Sequence, residues 1–178
     1  MSRITHEQLL EELVLVANRV RLARFLELHP DPVLVAMGVL KIEELRARVG
    51  STVRVSVAQP AEHSPTEVHP LAGKVFIIPR SSRPSGELVV GRESPAAVIV
   101  PDETVSSRHC ALRWDNDDMT LVDLGSTNGT LVNLKTVRAN VPTELFNEDI
   151  ITLGCHSFQY YLPAPFYHAL ITLGAPMP

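Results

Sequence analysis

Apolar and polar positions along this chain fall into three regimes. In residues 1–50, Leu10, Leu13, Val14, Ala17, Val20 and Leu28 recur in helical steps. Thr5 followed by Gln8 has the form of a capping box, with Ile4 and Leu9 placed for a hydrophobic staple. His29-Pro30-Asp31-Pro32 stops this helix. Asp31 and Pro32 suit the cap and first position of a second helix, which reads to Val49 and closes at Gly50. Residues 51–71 form a Pro-rich linker. Within it, Gln59 to Pro70 carries three prolines and no apolar period, so neither helix nor ladder is supported.

From Val75 the period shortens. Val75–Ile78, Leu88–Val90, Val98–Val100, His109–Trp114, Thr120–Leu124, Leu131-Val132, Thr136-Val137, Ile150–Leu153 and Ser157–Tyr161 read as short strands. Turn residues separate them, at Pro84-Ser85-Gly86, Asp115–Asp118, Asn128-Gly129 and Asn147–Asp149. Many short strands at near-regular spacing predict an antiparallel sandwich or barrel over residues 72–162. Residues 163–178 are apolar again, and Phe166–Leu173 suits a short C-terminal helix or tail.

Composition sharpens this division. Apolar residues number 26 of the first 50 but 45 of the 112 in 51–162, so the flanks hold more than a local core needs. Either the flanking helices bury their faces on each other and on the sandwich, or they form a dimerisation or partner surface. The chain has 178 residues and a net charge of -4, which argues against a polybasic nucleic-acid binder. Cys110 and Cys155 are too few for a disulfide scaffold and lack four-ligand zinc spacing, so no metal or cofactor is expected. No secretory leader is recognised, and the longest dense apolar run, Val33–Leu40, falls far short of the roughly 20 residues a spanning helix needs. A cytoplasmic protein with no membrane partner is the expectation.

The chemistry lies in the strand-rich part. Gly91-Arg92 closes one strand, Val105-Ser106-Ser107-Arg108-His109 precedes another, and Asp123 to Thr130 reads Asp-Leu-Gly-Ser-Thr-Asn-Gly-Thr. Arg92 and Arg108 carry guanidinium forks that match phosphate oxygens. Ser106, Ser107, Thr127 and Asn128 supply neutral donors. A phosphorylated side chain brings about -1.5 to -2 charge and three acceptor oxygens, a proportionate ligand for this set. Gly129 lets the chain turn tightly and aim Asn128 outward. Ser106, His109 and Asp123 include triad residue types, but the chain has no Gly-x-Ser-x-Gly elbow, Walker loop or dinucleotide loop. A binding protein is expected, not an enzyme.

These clusters, in this order and together with Asp149-x-Ile-x-x-Gly154, resemble the forkhead-associated (FHA) domain over about residues 72–162. The resemblance implies a mostly β fold: an eleven-stranded antiparallel β-sandwich, here with an N-terminal helical extension, that reads phosphothreonine peptides with loops at one end. It makes Arg92 and Ser106 phosphate ligands and places Ser107, Arg108 and Thr127 at phosphate or backbone contacts. Asn128 would bond the peptide main chain, with Gly91, His109 and Gly129 supporting the site. Ser107 departs from the Arg or Asn common at its position, and Glu148 from a frequent Gly. Thr104 lies near the position that selects the third residue after the phosphothreonine. The implied function is an adaptor for phosphothreonine-containing partners downstream of a Ser/Thr kinase, with residues 1–50 mediating homo-oligomerisation or an effector contact. A phosphate-independent scaffold using the apolar flanks is the alternative. Ser64-Pro65-Thr66 is a further candidate phosphorylation site that folds back on the loops.

Overall fold

The computed structural model describes residues 7–39, 71, 73–80, 85–116 and 118–174. The described residues begin with β1 (Glu7–Leu9), α1 (Leu10–Ala17), α2 (Leu22–Leu28) and β2 (Val33–Val39). The sandwich continues with β3 (Lys74–Ile77), β4 (Ser85–Gly91), β5 (Val98–Ile99), β6 (Cys110–Asp115) and β7 (Asp118–Asp123). Then come β8 (Thr130–Val132), β9 (Lys135–Thr136), β10 (Thr143–Leu145), β11 (Ile150–Leu153), β12 (His156–Tyr161) and α3 (Pro163–Gly174). One sheet has the order β1-β3-β2-β12-β11-β8-β9, and the other β10-β7-β6-β4-β5. Among the described strands, the pairings are antiparallel except the short β4–β5 contact.

Side-chain alternation builds two cores rather than one. Leu34 and Ala36 of β2, Phe76 of β3, and Phe158 and Tyr160 of β12 point between the sheets, against Leu112, Trp114 and Leu121. The intervening Val33, Val35, Val75, Ile77 and Tyr161 point the other way. They meet Leu13 and Ala17 of α1, Phe25 of α2, and Phe166 and Leu170 of α3. The molecule is therefore layered as sheet, sheet, helices. Phe25, fully buried, stacks near Phe166 and Tyr167, with ring centroids 6.4 and 5.2 Å away. Each such buried apolar side chain stabilises by about 1.5–3 kcal/mol. The three described helices turn their apolar faces to the outer side of that sheet.

Several expectations are corrected. Val33–Val39 is a strand, not the start of a second helix, and pairs with both β12 and β3. Because it is apolar on both faces, its pattern is a continuous run that periodicity alone does not distinguish from a buried helix. Strands of the sandwich accordingly lie before residue 72, at Glu7–Leu9 and Val33–Val39. The 40–73 connection joins two neighbouring antiparallel strands instead of linking two domains, and Leu71 already lies in the inter-sheet core. The first helix starts at Leu10, with Leu9 as its N-cap, because Glu7–Leu9 pairs as an edge strand with β3. Thr5, and most of the stretch between β2 and β3 including Thr66, lie outside the described residues. Among the described residues, no helix is long and apolar enough to cross a membrane.

Candidate functional site

Three loops meet at one end of the sandwich. The first leaves β4 at Gly91. A Cβ built there would lie 2.0 Å from the Ser107 carbonyl oxygen, so only glycine lets the second loop approach this closely. That approach is sealed by the Arg92 N–H, which donates to the Ser106 carbonyl at 3.0 Å. On the loop's other flank Gly154 has φ +59°, and a Cβ there would meet the Thr104 carbonyl oxygen at 2.4 Å. The 100–109 loop is thus clasped between two glycines.

His109 braces this loop from behind. It is fully buried; its Nδ1 accepts from the Ser106 N–H at 3.0 Å, and its Nε2 lies 3.0 Å from the Gly129 carbonyl. An accepting Nδ1 places the proton on Nε2, which then donates to Gly129. Burial holds the imidazole pKa below its ordinary value, against the Gly129 bond and the Asp123 charge. One neutral ring therefore ties the second loop to the third.

Asp123 shapes the third loop. Its carboxylate accepts from the N–H groups of Gly125 and Ser126 at 2.8 and 3.0 Å, and from the hydroxyls of Ser126 and Thr130 at 2.6 and 2.5 Å. Burial raises its pKa, but these bonds outweigh that and hold it below the usual carboxylate range. Gly125 and Gly129 take φ +78°, the left-handed turns that swing Thr127 toward Ser106.

At the rim, the Thr127 N–H donates to the Ser106 Oγ at 3.0 Å, and that hydroxyl lies 3.4 Å from the Thr127 Oγ1. The Arg92 Nη2 donates to the Ser107 Oγ at 3.4 Å, while the Ser107 hydroxyl donates to Glu93 at 2.6 Å. Glu93 lies 3.6 Å from Arg92. The Ser107 hydrogen bond and then the Arg92 charge hold its pKa down. One cation, three hydroxyls and a backbone N–H therefore gather at one rim, where exchanging the Ser106 and Glu93 bonds for an anion's oxygens would let them hold a tetrahedral anion.

Of the residues singled out from sequence, Arg92, Ser106, Ser107 and Thr127 are brought together, with Gly91, His109 and Gly129 beneath them. Arg108 is exposed beside Ser107, without a hydrogen-bond or ion-pair partner among the described residues. Asn128 turns its Nδ2 to the Thr104 carbonyl at 2.8 Å, and its Oδ1 is buried without a partner. Sequence reasoning missed Glu93 as the acidic neighbour of Arg92, Thr104 as a hub, and Asp123 as the organiser of its loop. An Asp two residues before a Gly was a readable signal for the last, since it favours a side-chain-closed turn.

The FHA domain family model matches residues 88–154. FHA domain-containing protein FhaA of Mycobacterium tuberculosis is 42% identical over 72 residues, covering 39% of this chain and 12% of that protein. Glycogen accumulation regulator GarA of the same species is 34% identical over 85 residues, 48% of each chain. The chain thus spans half or less of the length of these relatives. The solution structure of the FHA domain of an Arabidopsis thaliana hypothetical protein covers 74% of this chain, which in turn covers 85% of it. That likeness, with a TM-score of 0.51 at 21% identity, speaks to fold alone. With that model matched across residues 88–154, this chain belongs to the forkhead-associated domain proteins.

Proposed function

We propose that this end of the sandwich binds phosphothreonine peptides and that the protein acts as a phosphorylation-dependent adaptor without catalysing a reaction. The observation that carries the reading is the meeting of three loops at one rim, where the Thr127 N–H bonds the Ser106 Oγ and the Arg92 guanidinium bonds the neighbouring Ser107. Arg92 supplies the charge-assisted bond to phosphate. Ser106 and the Thr127 N–H supply neutral donors. Ser107 and Arg108 reach the phosphate edge or the peptide backbone. The buried Oδ1 of Asn128 takes a peptide N–H once the loop adjusts around the ligand. Partners are then proteins phosphorylated by a Ser/Thr kinase, in a cytoplasmic setting that suits the free thiols of Cys110 and Cys155.

Isothermal titration with matched phosphothreonine and unphosphorylated peptides tests this. The Arg92 side chain is 40% exposed, so its bond belongs at the lower end for charged groups. Arg92→Ala is expected to weaken binding by about 1.5–2 kcal/mol, roughly 10- to 30-fold. An Arg92→Ala protein that binds as tightly as wild type, or equal affinity for both peptides, overturns the assignment.

A second reading, in which the helices dock a partner or a second copy without phosphate, is favoured by the exposed Leu15 of α1 and Leu173 of α3. A partner, or a dimer in sedimentation, that is lost with Leu15→Glu and Leu173→Glu but kept by Arg92→Ala would favour it.

A further inference from the structure

Beside the recognition loops, two segments distant in sequence bring together a carboxylate, a thiol and an imidazole. A ligand atom of each of Asp102, Cys155 and His156 lies within 4.8 Å of the other two. We propose that these three residues form a binding site for a transition metal ion of the Zn2+ class, with one coordination position left to water.

The donor set argues for the class of ion. Nitrogen, sulfur and oxygen together suit Zn2+ and its neighbours and disfavour Mg2+ and Ca2+, which take oxygen ligands. Zinc–ligand bonds of about 2.0–2.3 Å put tetrahedral ligands roughly 3.3–3.8 Å apart, so only a small contraction of the cluster is needed. Asp102 and His156 are already close, with the Nε2 3.0 Å from the Oδ2.

The surroundings hold the donors in place. His156 is 1% exposed and opens β12, paired with Leu153 on one side and Val39 on the other. Asp102 is oriented by its second oxygen, which accepts from the Thr104 N–H at 2.8 Å and the Thr104 hydroxyl at 2.6 Å. Such bonds to the outer atom of a ligand aim its inner atom at a metal. The Cys155 N–H donates to the Thr104 Oγ1 at 3.2 Å, and its Sγ lies 3.1 Å from the same hydroxyl. Thr104 thus touches two of the three ligands. On binding, the thiol releases its proton to solvent, its sulfur bonds the ion, and neutral imidazole and carboxylate complete the protein's share. The ion would bolt the 100–109 loop to the β11–β12 turn, immediately behind the Thr104 carbonyl that anchors Asn128.

The test uses the full reduced chain, freed of metal by a chelator and titrated with Co2+. One equivalent is expected to produce a thiolate-to-cobalt charge-transfer band and intense tetrahedral d–d bands, both abolished by Zn2+. Cys155→Ser, a near-isosteric change at a half-buried position, is expected to fold, as checked by circular dichroism, and to lack the charge-transfer band. Asp102→Asn is expected to weaken Co2+ binding while leaving that band. No thiolate band in the wild type, or unchanged metal affinity in both folded variants, which would place the ion on other histidines, overturns the proposal. Neither readout involves a phosphopeptide, so it stands or falls apart from the proposed function.

Discussion

Replacing Gly91 with alanine isolates the closest backbone approach in the site. The added methyl would sit 2.0 Å from the Ser107 carbonyl oxygen and 2.7 Å from its carbon. That oxygen is roughly 1.4 Å short of the 3.4 Å at which ordinary contact begins. Backbone is what the methyl meets, so the 106–107 segment itself must move. The Arg92 N–H to Ser106 carbonyl bond, 3.0 Å long, is then stretched past the length at which it counts as a hydrogen bond. Overpacking of this kind costs about 1–3 kcal/mol, and the lost bond about 1 kcal/mol more. A loss of roughly 2–4 kcal/mol leaves a domain of ordinary stability folded. Binding should suffer separately, because the moved loop carries Ser106 away from Arg92 and Thr127. Loss of one hydrogen bond to a charged group weakens phosphopeptide binding by about 1.5–3 kcal/mol, roughly 10- to 150-fold. Denaturant unfolding and calorimetric titration of Gly91→Ala measure the two effects. An unchanged unfolding midpoint refutes the close-approach argument. Lower stability with unchanged affinity refutes the link between loop position and ligand binding.

Burial holds the pKa of both His109 and His29 below 6.5. Each therefore contributes stability that is complete above pH 6.5 and is lost as pH falls through the folded-state values, where the unfolded chain binds more protons. Urea midpoints measured from pH 7.5 down to 5 should fall, and a flat profile would contradict the neutral brace. Glu148 sits at φ +70°, so Glu148→Gly relieves a strained backbone and should raise stability by about 1 kcal/mol, read as a higher unfolding midpoint. Glu93→Gln removes the carboxylate 3.6 Å from Arg92, and phosphopeptide affinity should rise, with the gain shrinking as salt is added. An unchanged or lower affinity at low salt would mean that Glu93 does not compete for Arg92.

How much of this was legible in the sequence depends on whether the controlling interaction was local. The strands from Val75 onward could be read because alternation and turn residues sit beside each other in the chain, and nearly all recur within a residue or two. Thr143–Leu145 was not seen, since three residues with one buried side chain leave no period to detect. Val33–Val39 was misread for the opposite reason: helices cover one of its faces and the second sheet the other, so no polar positions mark its pitch. The site shows the same divide. Arg92, Ser106 and Thr127 were named from short motifs, each a turn with its own local chemistry. Asp102, Cys155 and His156, grouped around Thr104, belong to no common motif, because 51 residues of chain separate Thr104 from Cys155. Motifs thus mark the loop residues and their neighbours in sequence, and the sandwich determines which distant residues stand beside them.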